Sequence, residues 1–305
     1  MLRKYILTLA EKYPSKLGII SLAYSYICHM KLDVLICTYN DGIARIPAIL
    51  LPPRSDVSYV VSMQYTDESY LQHIPAELSE RSDVRIVPIE GLGLCRNRNN
   101  ALRAATGDIA LIADDDVRYR NEYFDRVIEV FTRDSEVDVA QFMIKSRDGG
   151  FIKDYPTHSY THPRVPRGMY VTSPEIAIRL STTRGRIYFD ERFGLGSPHF
   201  ICGEEEVFFT DAVRQGLTVR YFPQYVVEAP SDSTGVRTYS DERVMMAKGA
   251  INYYIHGASA WLRMFKFALV GAVTRRGSFA TLLRGTFKGI NHYRKVVRYE
   301  NPIGR

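Results

Sequence analysis

Three consecutive carboxylates, Asp114, Asp115 and Asp116, follow the apolar run Ala110, Leu111, Ile112 and Ala113. The run reads as a buried strand, and like charges crowded at its end repel one another by about a few kcal/mol at intermediate dielectric. A divalent cation removes that cost. Mg2+ and Mn2+ take hard oxygen ligands, often one or two carboxylates with substrate phosphates completing the shell. The cluster therefore reads as the seat of a metal that carries a diphosphate. The alternative is a solvated acidic turn, because aspartate favours turns and caps.

Two further stretches could share that chemistry. In "GLGLCRNRNNALRAA" (91–105), Arg96 and Arg98 can neutralise phosphates and a helix begins nearby, whose N-terminus favours anions. The alternative there is a turn and a helix capped by Asn97 or Asn99. In "GEEEVFF" (203–209), Glu204, Glu205 and Glu206 open a helix, where the dipole favours carboxylates. A glutamate held beside a metal–phosphate site can also act as a general base, and one facing the cleft would suffice.

The elements that must position these groups alternate. Short β-rich runs at "DVLICTYN" (33–40), "VSYVVSMQYTDES" (57–69), "DVRIVPIE" (83–90), "IALIA" (109–113) and "VDVAQFMIK" (137–145) read as strands. Helical patterns fall at "GIARIPAILL" (42–51), at "NNALRAAT" stopping at Gly107, and at "EYFDRVIEVFTRD" (122–134), where Phe124, Val127, Ile128 and Phe131 share one face. This alternation predicts an α/β fold with a largely parallel sheet. Ligands of such sheets lie beyond the carboxyl ends of the strands, which is where the aspartates stand. Residues 146–203 read as mostly irregular, a helix enters at Glu204, "LTVRYFP" is a further strand, and the chain beyond Asp241 reads as helices.

The chain has 305 residues and a net charge of +6, but the charge is uneven. From Asp241 to the end there are twelve lysines and arginines against three acidic residues, about +9, which leaves about −3 on the rest. The four cysteines, Cys28, Cys37, Cys95 and Cys202, form no C-x-x-C pair, and a reducing cytoplasm is expected. The first apolar run is broken by Glu11 and Lys12, unlike a secretory signal. Residues 1–30 are expected to be an N-terminal extension.

Together these stretches resemble the family-2 glycosyltransferases, over roughly residues 31 to 230. "VLICTYN" looks like that family's first strand and nucleotide-contacting loop. "GLGLCRNRNNALRAATGDIALIADDDV" looks like its Gly-x-x-x-x-Arg-Asn … Asp-Asp-Asp segment, and "GEEEVFF" like its acceptor-side motif. "YVTSPEIAIR" and "FDERFGLGSPHFICGEEEVFF" look like the capsule- and surface-polysaccharide branch. The resemblance implies the GT-A fold, a Rossmann-like nucleotide-binding mixed sheet flanked by helices, with a catalytic domain over 31–240. Its donor half would cover about 31–145 and its acceptor half about 146–240, followed by a basic helical region at 241–305.

The resemblance also implies metal-dependent, inverting transfer from a nucleotide-sugar donor, usually a UDP-sugar, to a saccharide or lipid-linked saccharide. Thr38 and Asn40 would lie beside the nucleoside, Gln64 or Asp67 would face the base, and Arg96 and Asn97 would line the donor side. Asp114 and Asp116 fit the family's Asp-x-Asp pair. Asp116 would be the direct ligand of Mn2+ or Mg2+, and Asp114 or Asp115 would touch the ribose or the metal's water. Glu205 stands where the family usually has Asp, so Glu204 and Glu205 compete as base. "SMQYTDES" also departs from the family's Asp-Asp-Gly-Ser pattern.

Rival readings are weaker. A haloacid-dehalogenase-like phosphatase would use Asp114 as nucleophile and Asp116 as acid, but Arg118 takes the place of that motif's Thr or Val. A basic nucleic-acid-binding protein would explain the charge, yet no binding motif accompanies the cationic tail, and no nucleic-acid partner is expected. His158, His162, His199, Tyr155, Tyr160 and Glu191 could touch an acceptor, and Asp190 could equally pair with Arg192. "WLRMFKFALVGAVTRRGSF" (261–279), with Trp261, Phe265, Leu269 and Ala272 on one face, could lie on an anionic membrane or pack on the catalytic domain. Lipid-linked acceptors would place the protein at the inner membrane face.

Overall fold

The computed structural model describes residues 30–230 and 238–299; most of the expected N-terminal extension, with Cys28, lies outside the described residues. In chain order the main elements are β1 (Leu32–Tyr39), β2 (Val57–Tyr65), β3 (Val84–Glu90), α1 (Leu94–Ala104), β4 (Ile109–Asp114), α2 (Asn121–Arg133) and β5 (Val139–Ser146). They continue with β6 (Tyr160–Thr161), β7 (Ile176–Arg179), α3 (Glu204–Arg214), β8 (Val219–Ala229), α4 (Glu242–His256), α5 (Ala260–Val273) and α6 (Phe279–Tyr299).

One eight-stranded sheet runs β3-β2-β1-β4-β7-β5-β8-β6. β3, β2, β1 and β4 are parallel, as the alternating pattern predicts. β7, however, runs antiparallel to both β4 and β5, and β6 antiparallel to β8, so the sheet is mixed rather than largely parallel. The sequence hides β7 because its four residues, Ile-Ala-Ile-Arg, are too few to display a period and sit in an otherwise irregular stretch. The segment 42–51 is also shorter-turned than expected: Asn40–Ala48 is a 3-10 helix containing Pro47.

β1 is buried on both faces, which explains its unbroken apolar run. Val34 and Ile36 pack toward Phe124, Val127 and Phe131 of α2, whereas Leu35 and Cys37 pack with Leu102 of α1 and Phe208 of α3. This two-residue alternation sandwiches the sheet between helices. The chain turns outward from β1 to β2 and β3, then returns to place β4 on β1's other side. The order of strands thus reverses at β1/β4, and in such sheets ligands bind in the crevice beyond the carboxyl ends at that point. Beyond the sheet, α4, α5 and α6 form C-terminal helices, and α4 packs on the α/β part through Val207, Phe193 and Phe200.

Candidate active site

Thr38 and Asn40 lie at the end of β1, and Asp114 ends β4, so both faces of the strand-order reversal carry residues singled out by the sequence. Thr38 Oγ1 donates to Asp115 Oδ2 at 2.6 Å across the crevice, and Arg45 Nη2 donates to the same oxygen at 2.6 Å. A side chain at Gly42 would stand 2.4 Å from Thr38 Oγ1 and 2.5 Å from Asp115 Oδ2, so this close approach requires glycine. Asn40 adopts φ 46° and ties β1 to the end of β2: its Nδ2 donates to Thr66 Oγ1 and its Oδ1 accepts from the Thr66 amide.

Gln64 and Asp67 separate in character. Gln64 is buried, and its Nε2 has no hydrogen-bond partner. Asp67 closes its own turn instead, accepting from the Ser69 amide at 2.9 Å. The Ser69 contacts hold this exposed carboxyl below its ordinary range.

Helix α1 begins at Leu94, with Gly93 at φ 116° before it. Asn97 and Asn99 are therefore inside the helix and cap nothing, contrary to the capping alternative. Glycine supplies the positive φ that the turn needs, which frees both asparagines for tertiary work. Asn97 Nδ2 donates to the Thr38 carbonyl at 2.9 Å, and Asn99 bonds both the amide and the carbonyl of Phe189. The Leu94 amide donates to the carbonyl of Leu195 at 2.8 Å, so the helix's first amide is already engaged.

The two arginines of this helix have opposite fates. Arg96 is exposed, with its guanidinium against Gly91. Arg98 is buried among carboxylates: Nη2 lies 3.2 Å from Asp114, and Nη1 lies 3.1 Å from Glu204 and 3.8 Å from Glu205. Burial alone would push this guanidinium toward neutrality, but Asp114, Glu204 and Glu205 outweigh it and hold the charge. Arg98 therefore joins β4 to the start of α3 and is not free for a phosphate. Helical phase carries the signal for this difference. Residues two apart point to nearly opposite sides, and Arg98 shares its side with Cys95, Ala101 and Leu102, all buried.

One cation faces three carboxylates, and the two glutamates are both raised above their ordinary range. Burial and the neighbouring Glu204 push Glu205 up to about 7, against the pull of Arg98 and of Ser173, whose hydroxyl donates to Glu205 Oε1. Glu204 holds the shorter contact with Arg98, and its Oε2 is buried without a partner. Burial and Glu205 likewise raise Glu206 to about 7. Asp116 is raised by burial and by Asp114 and Asp115, with Arg147 and Arg45 opposing. Arg147 reaches the Asp116 backbone carbonyl. Sequence reasoning missed Arg45, Arg147 and Ser173, none of which lies in a recognisable pattern.

Of the histidines and tyrosines of the irregular stretch, Tyr155, Tyr160, His162 and His199 are half-buried and His158 is exposed, and neighbouring side chains engage most of them. Burial lowers His162 to about 4, and it sits edge-on to Phe209. Tyr160 donates to Gln141, and Tyr155 stacks on Tyr221 and accepts from the Ile144 amide. His158 bonds only to neighbouring Thr157 among the contacts described, and His199 meets His292 of α6 at 3.3 Å. Asp190 pairs with Arg192, the structural alternative, while Glu191 accepts from Asn99.

Among the described residues no group of three His, Cys, Asp or Glu side chains is placed to hold a metal. The donor set nonetheless fits a hard dication completed by outside oxygens: the Asp116 carboxylate is crowded by two like charges at the crevice edge.

Residues 62–193 match the family model described as glycosyl transferase family 2. The structure of S. aureus TarS 1-349 aligns with a TM-score of 0.51 at 17% identity, covering 88% of this chain and 90% of that one. The same protein in complex with UDP-GlcNAc aligns with a TM-score of 0.53 at 18% identity, over 88% and 91%. No curated protein matches the chain in sequence. These likenesses, with the eight-stranded mixed sheet flanked by helices, give the GT-A fold. The haloacid-dehalogenase alternative falls with that topology.

Proposed function

We propose that the chain transfers a sugar, with inversion, from a nucleotide diphosphate donor, most simply a UDP-sugar, to a hydroxyl of a saccharide or lipid-linked saccharide. The carrying observation is the Arg98 network, which ties donor-side Asp114 to Glu204 and Glu205 of the acceptor-side helix across one crevice. The match of residues 62–193 to glycosyl transferase family 2 supports the reaction class, and the TarS complex with UDP-GlcNAc supports the donor class.

In this reading Thr38, Asn40 and the unpartnered amide of Gln64 receive the nucleoside. Asp67, closed on its own turn, contributes through its backbone position. Asn97 holds the Thr38 carbonyl, and so the end of β1, in place. Asp115 bonds Thr38 and Arg45 and shapes the floor. Asp116, with Asp114 beside it, would hold Mn2+ or Mg2+; bound there, the ion would neutralise charge on the departing diphosphate. Arg96, exposed at the mouth, adds a second positive charge to the same oxygens.

Glu205 is the base. Its carboxylate takes the proton of the acceptor hydroxyl as that oxygen bonds to the anomeric carbon, while the bond from that carbon to the diphosphate oxygen breaks and its electron pair leaves with the diphosphate. Ser173 and Arg98 orient the carboxylate, and a value near 7 matches a base that works near neutral pH. Glu204, committed to Arg98, is a positioning residue.

Thermal shift with UDP-sugars, with and without Mn2+, tests the donor site. A donor should stabilise the wild type only when metal is present. Asp116→Asn should keep its melting temperature and lose both that shift and sugar transfer. Transfer that survives thorough chelation, or full activity of Asp116→Asn at saturating donor, removes the metal from the reading.

A further inference from the structure

The C-terminal helices carry a surface that the transfer reaction does not use. From Gly257 to Tyr299 the sequence contains nine lysines and arginines and no aspartate or glutamate. Within this stretch α5 turns a row of large apolar side chains to solvent: Leu262 is 74% exposed, Val273 76%, and Phe265, Leu269 and Val270 nearly half. Residues 262, 265, 269 and 273 recur at helical spacing, so these groups form one stripe. Lys266 rises within it, and Arg263, Arg275 and Arg276 stand exposed beside and beyond it.

The stripe keeps Phe265 and Leu269 of the face expected from the sequence, but not Trp261 and Ala272. Trp261 turns inward, its ring edge-on to Phe287 at 4.6 Å, and Ala272 is half-buried. The inward face is filled by Met264 and Ala268, packed against Leu282 and Ile290 of α6. Near Trp261, Phe287 also lines a concavity of about 490 Å3 edged by Arg284, Lys288 and Lys295.

We propose that α5 is a membrane-docking helix that lies on an anionic bilayer, with its apolar stripe in the headgroup–acyl boundary and its cations against lipid phosphates. Exposed apolar side chains ringed by cations on a short helix are the pattern of interfacial binding. Long cationic side chains can bury their stems while their heads stay at the phosphates. The 14-residue helix spans ~21 Å, less than the ~30 Å hydrocarbon core, and no helix among the described residues is long and apolar enough to cross a membrane. A second copy of this chain fits the surface poorly, because α5 and α6 contain no aspartate or glutamate and pairing two such faces would bring their cations together, with Glu242 of α4 already paired to Lys288. The docking holds whichever sugar is moved, so its test is independent of transferase activity.

The full chain should be sedimented with vesicles of phosphatidylcholine alone and with about 30 mol % phosphatidylglycerol, and its only tryptophan, Trp261, offers an emission signal close to the stripe. The wild type should partition about tenfold or more in favour of the anionic vesicles, and the preference should shrink with salt. Leu262→Asn with Val273→Asn, two exposed positions chosen to spare the core, should lower that binding by about tenfold or more at an unchanged melting temperature. Arg275→Gln with Arg276→Gln should lower it less and weaken its salt dependence. Equal pelleting of the Leu262→Asn/Val273→Asn variant and wild type, or no binding to anionic vesicles, overturns the proposal. So does a concentration-dependent dimer that the same apolar variant abolishes, because the stripe then belongs to a second copy.

Discussion

Two buried ionic clusters flank Glu205, and they are completed to different degrees. Glu175 receives the Lys153 ammonium, the Thr172 amide at 2.9 Å, the Thr172 hydroxyl and the Gln141 amide at 3.1 Å. These bonds close the turn Ser173–Glu175, from which Ser173 reaches Glu205. Around Arg98, by contrast, Arg98 Nε and Glu204 Oε2 are buried without partners, as are Asn97 Oδ1 and Gln64 Nε2 near the ends of β1 and β2. Each such group costs about 1–3 kcal/mol, and native proteins keep few of them. The contrast separates a cluster whose hydrogen bonds are complete from one that leaves buried polar atoms unpaired.

Substitutions should expose that difference, most strongly at the base. Glu205→Gln should cut transfer by about a thousandfold, within the range of general-base contributions, while donor binding holds and the melting temperature does not fall. If Glu204→Gln alone stops turnover with donor binding intact, the two glutamates exchange roles. Next in size is the loss of a buried cation. Arg98→Met and Lys153→Met should each cost about 3–5 kcal/mol in urea unfolding, because each strands buried carboxylate. Adding Glu175→Gln should restore much of the Lys153→Met loss, since that cluster has one carboxylate to neutralise. Adding Glu204→Gln to Arg98→Met should restore little, because Asp114 and Glu205 remain.

The remaining effect is on pH. Glu205 and Glu206 are both raised from 4.5 to about 7, so the folded state favours their protonated forms. Their contribution to stability is fully present below about pH 4.5 and is lost as pH rises through about 7. Transfer should rise over the same interval, since the base must be ionised. The stability decline should be shallower in Glu205→Gln, with Glu206 supplying the remainder; an unaltered decline in that variant would place the titration elsewhere.

The parallel half of the sheet and the acidic cluster at its edge were legible in sequence because both are local. A doubly buried parallel strand reads as an apolar run, and adjacent charges at its end are visible without a third dimension. β7 was not legible, since its pairing with β4 and β5 joins residues far apart in the chain. The distinct roles of Arg96 and Arg98 required helical phase, and the motif alone had treated them alike. Ser173, Arg45 and Arg147 reach the crevice only through tertiary packing, so no local spacing announces them.

The contact between Leu94 and Leu195 has a practical reach. A side chain at Gly196 would lie 2.9 Å from the Gly93 amide nitrogen, and one at Gly194 would lie 3.1 Å from Cys95 Sγ. The beginning of α1 is thus finished by backbone from a loop about a hundred residues later. Modular engineering meets a limit here: a second half grafted from another protein of this fold would have to bring its own glycine-bearing arch, or the recipient's first half would be left with an unfinished helix.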